Sequence, residues 1–154
     1  SSRMFLAVRE QRGLAYNITT TTDDYTDTGI ISTRAAIDTD RIDEAIQAMI
    51  EVYKNLRDFG LSEIELNKAK SCLKGKILLK LEDTEEFAHL LGKFDLLYGK
   101  YMTPKQITDE IDKVTLQDIN DMTKDLFTQE NLKCAVIGTF EDYEKERFEK
   151  LLQI

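Results

Sequence analysis

The sequence predicts an α+β fold in which an antiparallel sheet packs against several helices. Two β-branched segments separated by a turn predict a hairpin near the N-terminus. Amphipathic segments with clear cap signals predict helices over most of the remaining chain. A length of 154 residues suffices for one domain with its own core, and no repeat or low-complexity tract divides the chain. We therefore expect residues 1–154 to form a single domain.

The N-terminal elements are a helix and a strand joined by a glycine. Apolar spacing predicts a helix over residues 2–12, and Gly13 has the place of a residue that ends a helix in the left-handed conformation. Alternation in the next segment predicts a strand with Leu14, Tyr16 and Ile18 on one face, continued by a run of threonines. After an aspartate-rich turn, a second strand is predicted over residues 29–36.

Cap signals divide the middle of the chain into helices. Ser62 and Glu65 have the spacing of a capping box, and Thr103, Pro104 and Gln106 combine a cap, an N1 proline and a box partner. The helices predicted in this way run from Asp38 or Thr39 to Phe59, from Ser62 to Leu81, from Asp83 to Gly99, from Thr103 onward, and from Thr115 to Phe127.

The C-terminal part predicts a third strand and a final helix. Residues 132–138 form a nearly continuous apolar run, which is typical of a central strand covered on both faces. Residues 141–152 have the spacing of a helix.

Composition and charge exclude some functions. The net charge is −8, which disfavours nucleic-acid binding because phosphates require a basic surface. No apolar run approaches the roughly 18 residues of a membrane span, so we expect no membrane partner. The acidic surface either attracts basic peptides or only keeps the protein soluble. Cys72 and Cys134 are predicted to be buried free thiols, which favours the cytoplasm, with a lone disulfide as the alternative.

Several motifs resemble the C-terminal domain of the M16 family of zinc peptidases, the pitrilysin, insulin-degrading and mitochondrial-processing group. The matching segments lie in the family's order over residues 1 to about 139, at 2–16, 27–29, 61–70, 74–82 and 115–119. The first reads Ser-Arg-Met-Phe and then Arg9-Glu-Gln-Arg-Gly-Leu-Ala-Tyr16. The resemblance implies an M16 peptidase-like (LuxS/MPP-like) domain that lacks its first strands here. An exposed sheet edge is then expected.

The resemblance also implies a divided active site. In the family, one domain binds zinc through His-x-x-Glu-His and a distal glutamate. This chain has no such motif, and His89 is its one histidine. We therefore expect zinc in the complete enzyme but outside this chain, and no peptidase activity from the chain alone. The implied partners are a peptide or unfolded-protein substrate and an N-terminal zinc-binding domain, in the same polypeptide or on a partner subunit.

Arg9 and Tyr16 match the arginine and tyrosine that the non-zinc domain contributes across the cleft. A guanidinium and a phenol hydroxyl can donate hydrogen bonds to a substrate carbonyl and to the oxyanion that develops during hydrolysis. We therefore predict that both residues position substrate and stabilise the oxyanion. The alternatives are that Tyr16 is a half-buried aromatic and that Arg9 pairs with Glu10 or with an acidic residue elsewhere on the surface. Arg12, next to Gly13, is a favourable charge at a helix C-terminus.

Two other functions are compatible with this fold and its sheet. One is a non-catalytic structural or partner subunit that never joins a zinc site. The other is a peptide-binding module that uses an exposed strand edge and does not need Arg9 or Tyr16. A His-x-x-Glu-His segment elsewhere in the protein, or on a co-purifying partner, distinguishes the peptidase from the structural subunit.

Overall fold

The computed structural model describes residues 2–141 and 144–154 and confirms the predicted α+β class. Two antiparallel strands form the sheet, and helices make up most of the rest. In chain order, the elements are a π-helix (Phe5–Glu10), β1 (Ala15–Asp24), β2 (Gly29–Ile37), a 3₁₀ turn (Thr39–Arg41), α1 (Ile42–Phe59), α2 (Glu63–Lys80), α3 (Thr84–Tyr98), α4 (Pro104–Lys113), α5 (Leu116–Leu126) and α6 (Lys145–Leu151).

The chain divides into two compact units. The first contains residues 1–24, 28–60 and 121–154, apart from the three residues outside the described ranges, and the second contains residues 25–27 and 61–120. That all 154 residues act as a single domain stays a prediction.

In the first unit, the hairpin and the π-helix pack on α1. Val8 is fully buried and belongs to the same hydrophobic cluster as two small residues of α1, Ala45 and Ala48. Small side chains on α1 let the neighbouring backbones approach closely, so the first helix and strand are held against it. In the middle of β2, the hydroxyl of Thr33 hydrogen-bonds to that of Tyr53 on α1 at 2.5 Å.

A second apolar cluster on α1 receives the C-terminal segments. Ile42, Ile46 and Ile50 are its buried members. The residues packed against them, from the segment after α5 and from the C-terminal end, are Leu132, Val136, Phe140, Phe148, Leu151, Leu152 and Ile154.

The prediction of a strand over residues 132–138 is wrong, because these residues form no strand in the structure. Leu132 and Val136 are partly buried against α1, but Ile137 is fully exposed. A strand needs a neighbour for its backbone hydrogen bonds. In the described ranges, neither strand of the hairpin pairs with this segment. Its apolar side chains therefore pack on a helix on one side only.

The helix boundaries follow the predicted caps. Ser62 and Thr103 both form complete capping boxes, with Glu65 and Gln106 respectively. Asp83 accepts hydrogen bonds from two backbone N–H groups at the start of α3. The last predicted helix, 141–152, is observed as Lys145–Leu151, and residues 142 and 143 of that prediction lie outside the described residues.

The second unit has fewer buried hydrophobic residues than the first. Leu66 on α2 is its one buried hydrophobic residue in the described range 61–120. α2 and α4 are joined by polar contacts: Lys70 Nζ donates to the carbonyl of Asp112 at 2.9 Å, and Lys74 Nζ lies 2.6 Å from the carboxylate of Asp112. Across the described residues, no helix has both the length and the apolar character needed to span a membrane.

Replacement of Ser62 by alanine should destabilise α2. The Ser62 hydroxyl accepts a hydrogen bond from the backbone N–H of Glu65 at 3.3 Å. The backbone N–H of Ser62 donates to the Glu65 carboxylate at 3.0 Å. Loss of such a cap typically costs about 1 kcal/mol of unfolding free energy. Urea unfolding followed by circular dichroism measures the change. Ser71→Ala, an exposed serine inside the same helix, is the matched control and should cause no loss. Equal stabilities of the two variants would contradict the assignment.

The start of α5 should be sensitive to acid. Hydrogen bonds from the Thr115 hydroxyl and backbone N–H hold the pKa of Asp118 below its ordinary 3.8. A lowered pKa stabilises the folded state above pH 3.8, and this contribution is lost as the pH falls through the folded-state pKa. Asp118→Asn should therefore lower the thermal midpoint at pH 7 and make no difference well below pH 3.8. Asp125→Asn, in the last turn of α5, is the control, and a loss of the same size there would count against the prediction.

Candidate functional site

Arg9 and Tyr16 come together at the junction between the π-helix and β1. Gly13 adopts the left-handed conformation with φ +58°, as predicted from its place after the helix. Its N–H donates to the carbonyl of Arg9 at 3.0 Å, and the N–H of Leu14 donates to the carbonyl of Val8 at 2.9 Å. These two hydrogen bonds use the last carbonyls of the helix, and the turn reverses the direction of the chain. The start of β1 therefore runs next to the helix, and Tyr16 lies beside Arg9.

The π-type winding of the helix was not predicted. The N–H of Gln11 donates to the carbonyl of Leu6, five residues earlier, at 2.9 Å. Such turns are rare, and they occur often at functional sites because the wider turn redirects the side chains that follow it. Arg9 lies in this widened turn.

A bulge at the start of β1 determines where Tyr16 points. Ala15 is opposite Ile37 and Ile18 is opposite Ala35, so three steps on β1 match two steps on β2. Ala15 and Ile18 both face the core, and the two residues between them are exposed. Tyr16 is 85% exposed. A bulge of this kind inserts one residue and redirects a side chain.

The prediction that Leu14, Tyr16 and Ile18 share one face is therefore wrong. Leu14 is buried at 4% exposure and Ile18 packs on the core, while Tyr16 lies on the opposite, outer face of the hairpin. Simple alternation fails here because the extra residue shifts the register by one position.

The guanidinium of Arg9 lies between two aromatic rings. Its central carbon is 4.9 Å from the centre of the Phe5 ring and 5.2 Å from the centre of the Tyr16 ring. Both distances are within the range of cation–π attraction. Phe5 was missed by the sequence reasoning, although an aromatic residue four positions before an arginine on a helix is a usable signal.

The donors of both side chains are available to a ligand. Arg9 Nε lies 3.9 Å from the carboxylate of Glu10, a loose contact, and the Arg9 side chain is 39% exposed. The Tyr16 hydroxyl has no hydrogen-bond partner in the described part of the chain. The structure therefore presents a charged donor and a neutral donor side by side, and such a pair suits a carbonyl oxygen or an oxyanion.

The two arginines next to the junction, Arg12 and Arg41, have partners within the protein. Arg12 forms an ion pair with Glu51 of α1 at 2.7 Å. Arg41 donates to the carbonyls of Arg12 and Gly13 at 3.2 and 3.3 Å, so its side chain caps the end of the helix from outside. Nothing in the local sequence pointed to Arg41, because its contact crosses 28 residues.

The described residues do not fit a bound zinc ion. No group of three or more histidine, cysteine, aspartate or glutamate side chains within residues 2–141 and 144–154 could hold a metal. His89 is exposed on α3. Cys72 and Cys134 are free, but the prediction that they are buried is wrong, since both are exposed. Cys134 is left uncovered because its segment does not enter a sheet.

Comparison with known proteins relates this chain to a family. Residues 1–73, which include the whole junction, match the family model described as Peptidase M16 inactive domain. An uncharacterised zinc protease of Mycobacterium leprae is 35% identical over 140 residues, which are 91% of this chain and 31% of that protein. The mitochondrial-processing peptidase subunit beta of Neurospora crassa is 29% identical over 127 residues, 80% of this chain and 26% of that protein.

Solved structures agree on the fold. A chain of complex III2 from Candida albicans superimposes with a TM-score of 0.73 at 19% identity, covering 81% of this chain and 30% of that one. The chain thus spans about a third of the length of these relatives. On the family match and the zinc-protease relatives together, the chain belongs to the M16 peptidase family and contains that family's inactive type of domain.

Proposed function

We propose that this chain is the substrate-clamping domain of a zinc-dependent metalloendopeptidase, with Arg9 and Tyr16 as its contribution to the peptide-hydrolysing site. The observation that carries the proposal is the arrangement of the Arg9 guanidinium between Phe5 and Tyr16, with exposed donors on both predicted residues. The partners are a peptide or unfolded-protein substrate and a zinc-binding domain, in the same polypeptide or on another subunit. The cytoplasm stays our predicted location.

The two donors have different tasks in this proposal. Arg9 has a delocalised charge and several N–H groups, which suits a substrate backbone carbonyl and keeps the peptide in register. The Tyr16 hydroxyl donates one hydrogen bond, which strengthens as negative charge develops on the carbonyl oxygen. The aromatic rings restrict the rotamers of Arg9 before substrate arrives, so less side-chain entropy is lost on binding.

The junction supports this use because it is rigid. Val8 is fully buried beside Arg9, and Ala15 is buried beside Tyr16. Each functional side chain is thus attached to backbone that the core holds in place. Donors that need little reorganisation are the ones that stabilise a transition state most.

The second candidate is a non-catalytic subunit of a larger assembly. The observation in its favour is the similarity to a chain of complex III2. A structural subunit does not need two exposed donors at the junction. This candidate therefore predicts that substitutions of Arg9 and Tyr16 change neither peptide binding nor peptide cleavage.

Arg9→Ala should nearly abolish cleavage. The experiment uses the complete protein together with its zinc-binding half, a quenched peptide, and a chelator to establish that cleavage requires metal. Loss of one preorganised donor typically lowers turnover by about 10²- to 10³-fold. The matched control is Arg12→Ala in the same segment, since Arg12 pairs with Glu51 and has no proposed contact with substrate.

The outcomes separate the candidates. Chelator-sensitive cleavage that falls steeply with Arg9→Ala and stays near wild type with Arg12→Ala supports the clamp. Cleavage unaffected by Arg9→Ala keeps the peptidase and removes Arg9 from its site. Absence of metal-dependent cleavage, also with a co-purified partner, favours the structural subunit.

Tyr16→Phe should lower kcat more than it changes KM. The substitution removes the hydroxyl but keeps the ring that lies 5.2 Å from the Arg9 guanidinium. An interaction made mainly in the transition state reduces kcat and kcat/KM together, by roughly 10²-fold for a lost oxyanion donor. Tyr25→Phe, an exposed tyrosine in the hairpin turn, is the control. Wild-type kcat in Tyr16→Phe would show that the hydroxyl has no part in the reaction.

A further inference from the structure

We infer that the outer face of the β1–β2 hairpin contains a subsite for an acidic side chain of the peptide, with Arg34 as its cation. The inference rests on the proposed function and specifies its substrate class. Arg34 lies on β2, opposite Thr19 of β1, and neither residue takes part in the Arg9–Tyr16 pair.

Arg34 differs from the other arginines of the chain. Arg3, Arg12, Arg41, Arg57 and Arg147 all have hydrogen bonds or ion pairs to other residues, and Arg9 lies between two rings. The side chain of Arg34 has no hydrogen bond, ion pair or ring contact in the described part of the chain. A guanidinium with five unused N–H donors is a ready partner for a carboxylate.

A shallow cavity surrounds this cation. Its volume is about 420 Å³, and Arg34 lines it together with Asn17, Thr19, Thr21, Ala35 and Ala36. The small alanine and threonine side chains leave room beside the guanidinium for one side chain of a bound peptide. The Asn17 amide supplies neutral N–H donors next to the charge, and its Oδ1 accepts a hydrogen bond from the Thr19 hydroxyl at 3.4 Å.

The cavity and Tyr16 share the same face of the hairpin. The bulge turns Tyr16 outward together with Asn17, and Asn17 lines the cavity. Thr19 is three residues beyond Tyr16, which at about 3.4 Å per strand residue is roughly 10 Å. An extended peptide that contacts Tyr16 at its scissile bond would therefore place a side chain about three residues away beside Arg34.

Arg34 is a specificity residue in this inference, since it is too far from Tyr16 to touch the reacting atoms. An exposed pair with a carboxylate contributes up to about fivefold in affinity, and charge reversal adds repulsion to that loss. We therefore expect a change in preference between peptides and no general loss of activity.

The test is a set of quenched peptides cleaved by the complete protein with its zinc-binding half. The peptides share one neutral sequence in which a single glutamate, lysine or alanine is moved through the four positions on each side of the cleaved bond. Wild type should prefer glutamate at one position about three residues from that bond, by about two- to fivefold in kcat/KM. Arg34→Ala should remove the preference, and Arg34→Glu should change it to lysine.

Lys105→Glu is the control for net charge, because it makes the same change at an exposed cation on α4. It should leave the preference as in wild type, and all variants should cleave the neutral peptide equally. Thermal midpoints equal to wild type should accompany the Arg34 variants, since Arg34 has no partner to lose.

Failure of this inference is distinct from failure of the proposed function. Metal-dependent cleavage that depends on Arg9 but has the same charge preference in wild type and Arg34→Glu would overturn the subsite alone. A charge preference that changes equally with Lys105→Glu would also overturn it, because the effect would then come from net charge. Absence of cleavage would overturn both proposals.

Discussion

The left-handed turn at Gly13 is the constraint on which the candidate site depends. It closes the π-helix through hydrogen bonds to the carbonyls of Val8 and Arg9, and it starts the strand that carries Tyr16. Space is not what requires glycine here, since an added Cβ would meet no atom within 4 Å. The backbone conformation requires it, because φ of +58° is unfavourable for a residue with a side chain. Arg41 reinforces the turn through two carbonyls of the same segment.

Two irregularities, both within ten residues of this turn, orient the side chains of the candidate site. The π-type winding sets the direction of the Arg9 side chain, and the bulge turns the Tyr16 side chain away from the core, to which Ala15 and Ile18 point. Each leaves backbone hydrogen bonding locally irregular, and regular helix or strand geometry would have pointed these side chains elsewhere. Their cost is offset by the burial of Val8 and Ala15 on either side. Local irregularity on a rigid base is what a preorganised pair of donors requires.

The sequence predicted those parts of the fold that short-range chemistry determines. The caps at Ser62, Asp83 and Thr103 were found because the capping side chain and its backbone partners lie within three residues of each other. The resemblance selected Arg9 and Tyr16, and the structure brings the two together. Long-range effects were not predictable: the segment 132–138 looked like a strand but had no partner strand, and the bulge moved Tyr16 without a glycine or proline to mark it.

The net charge of the chain is a poor guide to the charge of its site. The total is −8, yet Arg34 lies on the outer face of the hairpin, and the Arg9 guanidinium lies beside Tyr16 on that face. The aspartates at the hairpin tip begin at Asp23, four residues beyond Thr19, which is roughly 13 Å along the strand. That distance exceeds the Debye length of about 8 Å at physiological ionic strength, so solvent ions screen most of their effect on Arg34. The net charge therefore does not describe the surroundings of Arg34, and the local charge on this face of the hairpin is the quantity on which the inferred subsite depends.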